Sequence, residues 1–140
     1  MNLKLITLGG TLVDRDIYEI VIPTAEGEIG VFPGHEPLVT IAVPGALIIR
    51  YGKSDADAKL DYFAISGGVV KVSPQDVQIL VDEAHGGDDI SEADAKVALE
   101  RAIKMRDSAK SQIELDEAHQ LVDRHAVRLK VAELRRHRRR

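Results

Sequence analysis

All 11 glycines and all 5 prolines of this 140-residue chain lie at or before Gly87, and the 53 residues beyond it contain neither. Glycine and proline punctuate turns and spoil helix interiors, so this distribution alone divides the chain into a turn-rich part and a helical part. The length allows one ordinary domain, or a small domain with an appendage, and excludes two large ones.

The first part carries strand patterns. Leu3, Leu5 and Thr7 alternate with Lys4 and Ile6, and residues 17–22 alternate around Glu19. Residues 46–51, 60–66, 68–72 and 77–81 are rich in β-branched or aromatic side chains, with glycine and proline turn signals between them. Many short strands with no helical period between them predict a β-sandwich or flattened barrel of about 80 residues. MNLKLITLGG at the start alternates like a strand and does not read as a signal peptide.

The second part begins at Asp88, where Ser91 and Asp94 match a helix capping box. Ala95, Leu99, Ala102, Ala109 and Ile113 recur at helical spacing. Leu115, Ala118, Val122, Ala126 and Leu129 form a second series, with Val127, Val131 and Leu134 on an adjacent stripe. Residues 108–117 are the least periodic and mark the turn of an antiparallel hairpin, although a single long helix is also physically possible. The predicted class is therefore α+β: an antiparallel β-sandwich over 1–86 and a two-helix hairpin over 87–140.

Net charge is −4 overall, but residues 124–140 alone carry a net +7 on an otherwise acidic chain. A basic end of this kind predicts an acidic partner, whether protein, nucleic acid or lipid headgroup. The longest uncharged run, residues 37–49, is broken by Pro44 and Gly45 and falls short of the roughly 20 residues a spanning helix needs. Cysteine is absent, which removes disulfides, thiolate catalysis and cysteine zinc sites and argues for the cytoplasm.

Candidate chemistry fails at each place where it starts. Gly52-Lys53-Ser54 has Leu47 where a phosphate-binding loop requires glycine, and acids follow it. His35, His85, His119, His125 and His137 show no metal-ligand spacing, so no metal site is expected. Ser66 lacks a nucleophile elbow. His35, stiffened by prolines on both sides, has no nucleophile or second acid beside it and reads as a structural or contact residue. No catalytic residue emerges. Nucleic-acid binding through Arg135 to Arg140 is the alternative reading, but the aromatics that would interleave with those arginines are missing from the tail.

Residues 27–40 (GEIGVFPGHEPLVT), 44–49 (PGALII), 63–72 (FAISGGVVKV) and 77–82 (VQILVD), in this order, strongly resemble the epsilon subunit family of bacterial F-type ATP synthases. The likeness spans residues 1 to about 95 and is weaker beyond. It implies the same sandwich and hairpin, and a non-catalytic subunit of the central stalk that turns with gamma and the membrane-embedded c-ring. By the family's motif, Glu28 with Ile29 and Val31 would meet the c-ring and His35 would lie near gamma. The basic second helix, with Arg124, Arg128, Lys130, Arg135, Arg136 and Arg138 to Arg140, would approach an acidic loop of beta and oppose ATP hydrolysis. The place implied is the cytoplasmic face of the bacterial inner membrane, held there through the c-ring, with no nucleic acid bound.

Some members of that family bind ATP through a motif that runs Ile/Leu-Asp-x-x-Arg-Ala. Here the window is Ile90-Ser91-Glu92-Ala93-Asp94-Ala95, so an anion stands where the phosphate-pairing arginine belongs. Arg101 lies seven residues further on, and with Ile90 is what remains of such a site. ATP binding is expected to be weak or absent, with no other cofactor.

Overall fold

The computed structural model describes residues 1–138; the side chain of Arg138, and Arg139 and Arg140, lie outside the described residues. Ten strands come first: β1 Asn2–Thr7, β2 Gly10–Asp16, β3 Glu19–Thr24, β4 Gly27–Val31, β5 Leu38–Ala42, β6 Gly45–Arg50, β7 Asp61–Ile65, β8 Gly68–Val72, β9 Asp76–Val81 and β10 Ala84–Gly86. They form a sandwich, or half-barrel, along one hydrogen-bonded path, β10-β7-β6-β3-β5-β8-β9-β1-β2, with β4 added to β3. Every described pairing is antiparallel except β1 with β9, which is parallel. The first strand thus joins one near the end of the domain and ties the turn-rich part into one unit.

Alternation along the strands produces the core. Leu3 and Leu5, Ile20 and Ile22, Val70 and Val72, and Val77 and Ile79 all point inward and are fully or almost fully buried. Each such side chain contributes about 1.5–3 kcal/mol by leaving water. Gly68 is required where β8 passes β9, because a Cβ there would stand 1.9 Å from the carbonyl oxygen of Leu80.

Strands β6 and β7 are apolar on both faces. Leu47 and Ile49, with Phe63 and Ile65, fill the core, while Ala46, Ile48, Tyr62 and Ala64 face the other way. That outer face is covered by the helices α1 Glu92–Asp107 and α2 Gln112–Arg138, of which α2 lies on β6 and β7. Two alanines in the strands and two in the helices, Ala95 and Ala132, keep the layers close.

The serine half of the capping box forms: Asp94 N–H donates to Ser91 Oγ at 3.2 Å, which makes Ser91 the N-cap of α1. The hairpin turns without glycine or proline because serines satisfy both broken helix ends. Ser108 Oγ donates to the Lys104 carbonyl at 2.9 Å, closing α1. Glu114 N–H donates to Ser111 Oγ at 3.1 Å, and Glu114 Oε2 accepts from Lys110 N–H at 2.9 Å, which opens α2. An ion pair of 2.8 Å between Glu92 and Arg136 joins the start of α1 to the end of α2, so the helices run antiparallel. Of the sequence stripes, Ala95, Ala102, Ala118 and Val131 are buried, whereas Ile113 and Ala126 are exposed.

Candidate functional site

Three surfaces carry residues singled out above. The first is the β3–β4 hairpin. Its turn is held by Thr24, whose hydroxyl donates to the Gly27 carbonyl at 2.6 Å and accepts from Glu26 N–H at 3.3 Å. Gly27 takes φ +111, a conformation L side chains avoid. Glu28 follows at once on β4, opposite Pro23; it is exposed and makes no ion pair among the described residues. Ile29 is half-buried and packs on the core. Val31 is 0% exposed, so the expectation that its side chain touches a partner fails: strand alternation sends it inward against Ile20. Of the three residues, Glu28 alone is fully outward.

A tight turn then leads to β5. Phe32, Pro33, Gly34 and His35 close it through His35 N–H to the Phe32 carbonyl at 3.2 Å, with proline second and Gly34 third at φ +87, the arrangement of a type II turn. Gly34 N–H donates to the Pro74 carbonyl at 2.8 Å, which fixes the turn to the β8–β9 loop. His35 is half-buried, with Nδ1 2.6 Å from the Glu36 carbonyl oxygen.

The second surface is the outer face of β5, β8, β9 and β1. Ile41 pairs with Val69, Val69 with Leu80, and Leu80 with Ile6, so four apolar side chains stand in register across four strands. Ile41, Val69 and Leu80 are 62, 49 and 48% exposed, and Val39 beside them is 69% exposed. The next row is Val39, Lys71, Gln78 and Lys4. Among the described residues no element covers the apolar row, which is what an interaction surface looks like: an apolar centre with a polar rim. The pattern was present in the sequence as β-branched residues at both phases of the alternation, but which phase faced the core was not readable from one strand at a time.

The third surface is the seam between α2 and the sandwich. A cleft of about 610 Å³ opens there, with Ser66, Glu83 and His85 on one wall and Leu121, Arg124 and Arg128 on the other. Arg124 Nε lies 2.8 Å from Glu83 Oε1, and Arg135 pairs with Asp88. Together with Arg136 and Glu92, these contacts engage three of the basic residues expected to serve a partner. Arg128 is half-buried at the cleft and Lys130 is exposed. Burial, with Arg128 and Arg124 close by, holds the His125 imidazole below the ordinary histidine range. Ile90 is buried under α2 against the β6–β7 face, and Arg101 is exposed on α1; neither lines the cleft. No group of metal-ligating side chains gathers among the described residues, and no described helix is long and apolar enough to cross a membrane.

Comparison with known proteins agrees with this architecture. Residues 1–87 match the family model described as "ATP synthase, Delta/Epsilon chain, beta-sandwich domain". The ATP synthase epsilon chain of Herpetosiphon aurantiacus is 35% identical over 138 residues, 99% of this chain and 98% of its own length. That of Chloroflexus aggregans is 36% identical over 141 residues, 100% of this chain and 97% of its own. Among solved structures, a chain of the Euglena gracilis mitochondrial ATP synthase, in an assembly of OSCP, F1 and c-ring, superposes with a TM-score of 0.80 at 27% identity, covering 94% of this chain and 79% of that one. A bare-faced sandwich carrying a helical hairpin, matched over its whole sandwich, places the chain in the ATP synthase delta/epsilon family. Its near full-length relatives are epsilon chains, and its function is that of an epsilon chain of ATP synthase.

Proposed function

We propose that this chain is a non-catalytic rotor subunit of a proton-translocating ATP synthase, joining gamma to the c-ring at the cytoplasmic face of a bacterial inner membrane. The observation that carries this reading is the row Ile6, Leu80, Val69 and Ile41, an apolar face that no described element covers, in register across four paired strands. Gamma occupies that face, with His35 on the approach to β5. Glu28, outward on a short hairpin pinned by Thr24, meets basic loops of the c-ring, where partial burial makes a charge pair worth more than an exposed one. In the hairpin, Arg124, Arg128, Lys130, Arg135 and Arg136 bind an acidic loop of beta when α2 leaves the sandwich, opposing ATP hydrolysis.

ATP binding by this chain is weak or absent. Ser91 is committed to capping α1, and Asp94 stands where a phosphate would need a cation. Nucleic-acid binding is disfavoured by the engagement of Arg135 and Arg136 with Asp88 and Glu92.

The test is reconstitution. Tagged chain is expected to retain gamma and the c-ring through purification, and Glu28→Ala to lower ATP-driven proton pumping without lowering the thermal stability of the free chain. Failure to retain gamma would overturn the rotor assignment, and unaltered pumping would remove the role of Glu28. Truncation after Leu115 is expected to raise ATP hydrolysis of the assembled complex, and an unchanged rate would remove the inhibitory role.

A further inference from the structure

The open face does not end with its apolar row. Rows on a sheet repeat every two residues, so one row across four strands is about 19 Å wide and about 7 Å deep, roughly 130 Å² of sheet. A stable interface covers about 800 Å² of each partner. Whatever seats on Ile41, Val69, Leu80 and Ile6 therefore spreads over the neighbouring rows as well.

Those rows are charged, and differently on the two sides. Toward the turn that carries His35, the next row is Val39, Lys71, Gln78, Lys4 and Asp14, in register across five strands. Beyond it stand Asp76, Asn2 and Asp16, again in register. On the opposite side, Asp82 is exposed two residues past Leu80, just beyond the end of β9. Charge along the face thus runs acid, apolar, cation, acid.

The two lysines are placed differently. Lys4 is half-buried with Asp14 beside it in the row, and the Asp14 carboxylate accepts from Asn2 Nδ2 at 3.3 Å. Lys71 is exposed on an inner strand between Val39 and Gln78, and it makes no ion pair among the described residues. Val39, 69% exposed in the same row, leaves water only if that row is covered. Covering it also strips water from the Lys71 ammonium, whose row neighbours carry no counter-charge, and a desolvated unpaired charge is costly.

We propose that Lys71 sets the orientation of gamma on the open face: the gamma surface holds an acidic side chain against Lys71, and the one-sided order of charge fixes which way round it seats. Turned by half a turn in the plane of the sheet, gamma would bring that acid to the side of Asp82, so the wrong orientation is repelled as well as unpaired. This inference rests on the reading that gamma occupies the open face, and adds to it the charge that the contacting surface carries.

A carbodiimide, which joins an amine to a carboxylate with no spacer between them, tests the contact in the complex of the full chain with purified gamma. The expected product is an amide between Lys71 and an aspartate or glutamate of gamma, found by mass spectrometry of the digested complex and absent with Lys71→Gln. Lys71→Glu is expected to lower the affinity for gamma at least about tenfold at about 50 mM salt, with its melting curve unchanged, and the difference to shrink below about threefold at about 0.5 M, where screening is strong. Unchanged or raised affinity of Lys71→Glu, an equal loss at both salt concentrations, or an intact complex with no linkage at Lys71 overturns the proposal. The Ile41→Ser, Val69→Ser double variant separates the two possible failures. If it loses gamma while Lys71→Glu keeps it, the charge contact fails and the open face stands; if both keep gamma, the assignment of gamma to that face fails.

Discussion

The sandwich has two apolar outer faces, and the chain treats them differently. On β6 and β7 the outward residues include Ala46 and Ala64, and α2 lies on them. On β5, β8, β9 and β1 the outward row is Ile41, Val69, Leu80 and Ile6, and none of the described elements lies there. Small residues admit a helix closely, while a row of larger aliphatic side chains offers area to a partner brought from outside. The difference teaches that the molecule supplies one partner for itself and leaves one place open. On the proposed function, the covered face is the one that exchanges a helix and the open face is the lasting attachment.

Substitutions at the two faces should separate these roles, and the largest effect belongs to the frame that both depend on. Gly68→Ala drives a Cβ into the Leu80 carbonyl and is expected to cost more than about 4 kcal/mol, enough to abolish cooperative unfolding in a thermal melt. Under the covered face, Val131→Ala removes a fully buried side chain and is expected to lower the stability of the free chain by about 1–3 kcal/mol in urea denaturation. At the hairpin turn, Ser111→Ala removes the cap of α2 and is expected to cost about 0.5–2 kcal/mol by the same measurement. On the open face, Ile41→Ser should change the stability of the free chain by less than about 0.5 kcal/mol. A loss at Ile41 as large as that at Val131 would break the comparison, because the two faces would then be doing the same work.

Much of this was legible in the sequence where punctuation and periodicity agreed. The boundary near Gly87, the strands at 46–51, 60–66, 68–72 and 77–81, and the cap at Ser91 all stand close to where turn residues and alternation put them. Strand β2 was missed because Gly10–Asp16 carries Asp14, Arg15 and Asp16 and buries Val13 alone, the look of a loop in a strand at the edge of a sheet. Strand β4 was hidden by two glycines within five residues, and its phase decided against Val31 as a contact. The parallel β1–β9 pair joins residues more than 70 apart, and no local pattern encodes it. The break between the helices was encoded after all, in Ser111 and Glu114, a capping signal that reads as an ordinary polar stretch when glycine and proline are the markers sought. The open face needed pairing register, because four residues scattered over 75 positions become one row only when the strands are aligned.

The central claim is that the open face binds gamma. Calorimetric titration of purified gamma with the full chain and with an Ile41→Ser, Val69→Ser double variant tests it most directly. The account predicts at least about a tenfold loss of affinity in a variant whose melting curve remains close to that of the parent, as expected when central apolar contacts are removed from an interface. Equal affinity of the two chains for gamma would contradict it.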